Sequence, residues 1–134
     1  MTATRRTSTR RFLGDETGQS NVAALLITPI ALLLVLAVPQ AGAYYQASTV
    51  AQSAANAAYS ATRVLDGSTA EGRAAAQQVI DQHSGSLKGA TVNISTSGDR
   101  MTVTVTGTAP SITGTWLSPE VSRSVAGPVE RVVK

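Results

Sequence analysis

Cysteine is absent from this chain, and aromatic side chains are scarce: one Phe, one Trp and three Tyr. Without thiols there is no disulfide framework, no thiolate metal site and no thiol nucleophile, although that absence alone fixes no compartment. The scarcity of aromatics argues against a thick core around a large ligand pocket. The 43% of hydrophobic residues are mostly Ala, Val and Leu, which suit helices and a thin sheet. Histidine occurs once, as His83. One imidazole without a second nitrogen or sulfur ligand nearby makes no metal site, so neither a metal nor any other cofactor is expected; a histidine near a helix C-terminus is explained by the helix dipole.

Charge is also sparse, at 14% of residues. The net excess of +3 is a flank and not a face, because four of the eleven basic residues are Arg5, Arg6, Arg10 and Arg11 and the others are scattered without aromatic interleaving. Nucleic acid is therefore not an expected partner. The carboxylates Asp66, Glu71, Asp81, Asp99, Glu120 and Glu130 are dispersed among turns, caps and helix surfaces. No phosphate-cradling glycine loop, paired-histidine motif or nucleophile elbow accompanies them, so no catalytic residue is assigned and the chain is expected not to be an enzyme. At 134 residues it has room for one domain, or for a membrane anchor with a small domain attached.

What the sequence does contain begins with a long uncharged stretch. No Asp, Glu, Lys or Arg occurs from Thr17 to Thr62, and within it an almost purely apolar run starts at Val22, passes Pro29 and ends at Val38. That run reaches the lower end of the roughly 17 to 25 residues that cross a bilayer as a helix, and with residues 41–43 added it spans comfortably. The arginines before it, by the positive-inside rule, place the N-terminus in the cytoplasm and everything after about Tyr44 on the far side. Tyr44 and Tyr45 then fall in an aromatic belt. Pro29 implies a local kink of a kind that membrane helices tolerate. A competing reading is an export signal: basic region, apolar region, then Ala41-Gly42-Ala43 as a small-residue cleavage site, with Thr9-Arg10-Arg11 faintly like a twin-arginine signal. Cleavage after Ala43 would release a small secreted binding module. Against it, the apolar run exceeds the usual signal core of about 7 to 15 residues, and the helical pattern continues past Ala43.

Beyond Tyr45, Ala47, Ala51, Ala54, Ala58, Ala61 and Leu65 recur in steps of four and three, the stripe of a helix packed on another surface. Small side chains permit close backbone approach, so the stripe is expected to pack laterally on sister subunits or partners. High alanine helix propensity alone would produce the same pattern. Asp66-Gly67 is expected to end this helix. Ser68 and Glu71 read as a capping box opening a shorter helix to about His83, with Ala75, Val79 and Ile80 on its apolar side. Gly85 and Gly89 bracket a loop, after which the period becomes twofold. Val92 and Ile94, then Met101, Val103 and Val105, alternate with polar residues across the turn Ser97-Gly98-Asp99, predicting a hairpin. A third strand is expected at residues 121–125, before the Gly127-Pro128 break, with Trp116 and Leu117 in the loop leading to it.

The predicted fold class is α+β: an N-terminal transmembrane helix continuing into an extended Ala-rich helix, a short second helix, then a small antiparallel β-sheet. By segments this gives a basic cytoplasmic leader at 1–18, the transmembrane helix at 19–43, extracytoplasmic helices at 44–84 and a β region at 85–134.

From Gly18 almost to the C-terminus the chain resembles the TadE-like family of actinobacterial tight-adherence (Tad) pilus proteins. The residues that carry the likeness are the apolar segment with Pro29, Tyr44-Tyr45-Gln46-Ala47, the alanine-rich helix, Val103-Thr104-Val105, Ala109-Pro110-Ser111 and the tail Ser124-Val125-Ala126-Gly127-Pro128-Val129-Glu130-Arg131. The resemblance implies a pilin-like, membrane-anchored pseudopilin or assembly protein. Its partners would be membrane lipid, other Tad pilus or pseudopilin subunits, inner-membrane platform proteins and a prepilin peptidase. It also implies cleavage between Gly18 and Gln19. Two positions depart from the family pattern: Ala23 stands where the fifth mature residue is typically glutamate, and Gln40 where relatives often carry an acid. Loss of that first carboxylate removes the usual partner of a neighbour's terminal ammonium. Unprocessed anchor, platform partner and minor tip subunit all remain open on these residues.

Overall fold

A computed structural model describes residues 16–64 and 67–130, and confirms the α+β class. Two helices, α1 (Glu16–Arg63) and α2 (Thr69–Gln82), precede three strands, β1 (Lys88–Ser97), β2 (Arg100–Thr108) and β3 (Glu120–Pro128). The chain divides into two units, Met1–Val35 and Leu36–Lys134, with α1 contributing to both.

The described part of the first unit is helix alone. It belongs to a stretch that is long and apolar enough to cross a membrane, and no part of the apolar window is buried within the chain. α1 is helical through Pro29, and through Pro39 as well. Each proline removes one intrahelical donor, leaving the carbonyls of Leu25 and Val35 without their usual N–H. The first of these prolines is accompanied by the Thr28 hydroxyl, which donates to the Ala24 carbonyl at 2.6 Å. No element boundary falls at 43/44, where the sequence placed the end of the membrane helix.

In the second unit the sheet order is β1-β2-β3, antiparallel throughout. The twofold period predicted for residues 91–106 is realised: Ile94 faces Val103 and Val92 faces Val105, with Ser97 paired to Arg100 across a two-residue turn. Gly98 takes φ 61 there, the left-handed conformation that such tight hairpins require of their first turn residue. The largest fully buried side chains are Met101, Val103, Val105 and Val121, the inward row of β2 and its neighbour on β3. Burying a side chain of this kind contributes about 1.5–3 kcal/mol, so this row is the main apolar mass of a small core.

Three expectations at element ends need correction. Gly89 does not close a loop; β1 already begins at Lys88, and Gly89 sits in a register shift between Lys88 and Thr91. Gly127-Pro128 is not a break, because β3 runs through it and pairs Pro128 with Arg100. β3 is an edge strand, where the missing proline N–H leaves no ladder bond unmade. On α2 the buried residues are Gly72, Ala76 and Ile80, with Ala75 and Val79 only half-buried, so the inward face lies about one residue from the predicted one.

The capping box is formed as read. The Glu71 N–H donates to Ser68 Oγ at 3.1 Å and the Ser68 N–H donates to Glu71 Oε2 at 2.9 Å. Replacing Ser68 by alanine is expected to lower stability by about 1 kcal/mol, seen as a reduced urea midpoint with an unchanged denaturant slope. At the other end, His83 caps the helix and its Nδ1 lies 3.0 Å from the Val79 carbonyl, a local structural contact.

Candidate functional site

The residues singled out by sequence fall on two surfaces, one exposed and one internal. Gly18 and Gln19 lie in the first turns of α1. Val22, Pro29 and Val38 are exposed, as are Leu25, Leu26, Leu32, Leu33 and Leu34 between them. Large exposed apolar side chains gathered in this way are what a helix presents to lipid or to other helices, and are unfavourable in water. A shallow groove lies beside the proline, lined by Asn21, Ala24, Leu25, Thr28, Pro29 and Leu32.

The alanine stripe is placed differently from the expectation. Ala47, Ala51, Ala54 and Ala58 have 0% exposure, and they form one cluster with Met101, Val103, Val105, Val121, Ala76 and Ile80 of the same chain. The sheet and α2 cover them, so they are not a surface for sister subunits. Ala61 is half-buried, and Leu65 lies outside the described residues. The physical reason is plain: a stripe of small side chains accepts any close-packing surface, and in a single sequence nothing distinguishes a neighbouring copy from the chain's own sheet. Val50 and Ala55 belong to the same buried face and widen it.

Polar contacts stitch the margins of this face. Ser48, 7% exposed, accepts a 2.7 Å bond from Arg123 Nε of β3. Arg123 follows Val121 by two residues and so points to the core side of an edge strand, a placement that discourages edge-to-edge pairing. The strand alternation could have revealed this; its partner on α1 could not be foreseen. The Tyr59 hydroxyl donates to the Pro128 carbonyl at 3.1 Å, and Arg63 makes a 3.3 Å ion pair with Glu130 while lying 5.8 Å from the Tyr59 ring centre. Both groups of that ion pair are well exposed, so it adds little.

Gln40 is the other residue whose role the sequence did not signal. Its Nε2 donates to the Pro110 carbonyl at 3.3 Å, and its Oε1 accepts from the Ile112 N–H at 3.1 Å. The amide thus grips the start of the β2–β3 loop at two points. Tyr44 and Tyr45 follow on α1, both exposed.

Among the described residues no three of His, Asp and Glu converge on a point where a metal ion could sit. The depression at the β1–β2 turn is a shallow surface lined by Ser97, Asp99, Arg100, Ala126, Gly127 and Pro128. What the geometry offers is a lipid-suited helix and a compact helix-on-sheet body. Compared with protein-family models, with curated proteins and with solved structures, this chain finds no match in any of the three.

Proposed function

We propose that this chain is a non-enzymatic, single-pass membrane subunit or assembly factor of a Tad-type pilus or secretion apparatus, of the TadE-like kind. The N-terminus would lie in the cytoplasm and the region after about Tyr44 outside. The observation that carries the reading is that one helix, α1, bears an exposed apolar run and, farther along, an alanine face covered by a three-stranded sheet. An apolar run of this kind calls for a hydrocarbon environment, and among the described residues no three of His, Asp and Glu gather where a metal ion could sit. Lipid would surround residues 22–38. With Ala47, Ala51, Ala54 and Ala58 occupied by the chain's own sheet, contact with pilus subunits or platform proteins falls to the exposed apolar helix and the outer surfaces of the body. Release after Ala43 fits less well, since it would discard Gln40 and both of its bonds to the loop.

Processing by a prepilin peptidase would cut between Gly18 and Gln19. Protein recovered from native membranes is expected to resist carbonate extraction, and its intact mass to lack residues 1–18. Retention of Met1 to Gly18 would rule out the cut while leaving the anchor. A carbonate-soluble product beginning at Tyr44 would overturn the anchor itself.

A further inference from the structure

We infer that the β2–β3 loop, residues 109–119, is a second membrane contact, with Ile112 and Leu117 seated in the lipid headgroup layer beside α1 and held there by Gln40. The inference rests on the proposed anchoring of α1 in a bilayer.

Chain connectivity sets the depth. The apolar run ends at Val38, and Gln40 follows two residues later on the same helix, about 3 Å farther along its axis. A hydrocarbon core of about 30 Å takes about 20 helical residues, and a span of that length that starts with the apolar run at Val22 extends past Gln40. The headgroup layer then extends several ångströms beyond it, over the turn that holds the exposed Tyr44 and Tyr45. The bonds from the Gln40 side chain, at 3.3 Å to the Pro110 carbonyl and 3.1 Å to the Ile112 N–H, hold the start of the loop at that level, and Leu117 lies five residues farther along the same loop.

The loop has the chemistry for such a place. Its sequence from Pro110 to Pro119 contains no charged residue and includes Ile112, Leu117 and the chain's only tryptophan, Trp116. Ile112 is 53% exposed and Leu117 45% exposed, both available to lipid. The base is closed by the Ala109 N–H donating to the Pro119 carbonyl at 3.0 Å, and the Thr113 N–H donates to Ser111 Oγ at 3.3 Å. Backbone groups entering a low-dielectric layer lose their water, and each must find a partner or incur a desolvation penalty. Gln40 answers that requirement for the Pro110 carbonyl and the Ile112 N–H together. The loop in turn satisfies an amide that would otherwise stand unpaired at the edge of the hydrocarbon. The chemistry of an amide suits this clamp: it can donate to the carbonyl and accept from the N–H at once, whereas an ionised carboxylate only accepts.

The absence of cysteine permits a clean test. Single variants Ile112→Cys and Leu117→Cys of the full chain are labelled with a nitroxide and reconstituted in phosphatidylcholine–phosphatidylglycerol vesicles. Collision with oxygen, which partitions into lipid, is compared with collision with a water-soluble nickel chelate. Ile30→Cys serves as the hydrocarbon reference and Ser95→Cys, exposed on β1, as the aqueous one. Labels at 112 and 117 are expected to show oxygen-to-nickel ratios between the two references, with nickel accessibility several-fold below that of Ser95→Cys. Adding Gln40→Ala to Ile112→Cys is expected to raise nickel accessibility toward the aqueous value. Water-like ratios at both loop positions, with Ile30→Cys in hydrocarbon, overturn the inference and spare the anchor. Protection from both reagents shows that protein and not lipid covers the loop, and also overturns it. A water-like ratio at Ile30→Cys removes the anchor and the inference together.

Discussion

Replacing Ala54 and Ala58 together by leucine is expected to unfold the body that begins at Leu36 while leaving the apolar helix in the membrane. Both alanines have 0% exposure and sit between α1 and the rest of the core. Alanine at these positions sets the distance at which the helix can approach β2, where Met101, Val103 and Val105 fill the other side. Extra methylenes forced into a packed site typically destabilise by about 1–3 kcal/mol each time. The two positions are one helical turn apart and strain the same contact, so their effects are expected to couple. A body with few large core side chains has little reserve, and the double variant should lose protease resistance at urea concentrations the parent withstands. Under the proposed anchoring, insertion depends on residues 22–38, which the change does not touch, and carbonate resistance should persist. The result that would contradict this is a variant as stable as the parent that fails only to associate. That outcome would return the alanine stripe to a surface between copies.

Changing Gly72 to leucine sets two effects of opposite sign against each other. Leucine is a better helix former than glycine by about 1 kcal/mol, so α2 alone should gain. Packing predicts the reverse. A Cβ on Gly72 would meet the Thr62 hydroxyl, and would lie 3.0 Å from both the Ala58 carbonyl and Ile94 Cδ1. The carbonyl is helix backbone and has little room to yield, while the Thr62 hydroxyl is already committed to that same carbonyl at 2.8 Å. Separating α2 from α1 would also lift Ala76 and Ile80 from the core they share. Overpacking of about 1–3 kcal/mol or more exceeds the propensity gain, and a lower urea midpoint is expected, with Gly72→Ala falling between parent and leucine variant. A higher midpoint for Gly72→Leu would show that α2 is not pressed on α1 at this residue.

Much of the architecture could be read one residue at a time. The box at Ser68 and Glu71, the alternation Met101-Val103-Val105 and the turn at Gly98 are local codes: each depends on neighbours a few positions away, and each was formed as read. The strand through Gly127-Pro128 escaped because a proline signals interruption unless its strand is known to lie at an edge, and edge position is a property of the assembled sheet. The bulge at Gly89 escaped for the same reason, since a register shift exists only relative to a partner strand.

The candidate site divides along the same line. Composition and periodicity were enough to mark a helix fit for lipid and a helix face fit for close packing, because hydrophobic length and spacing are written along one chain segment. They could not say what fills that face, nor that Gln40 would reach across 70 positions to Pro110 or Arg123 across 75 to Ser48. Those pairings are fixed by the path of the backbone through space. A small side chain or a lone amide carries no address for its partner until the fold brings one within reach.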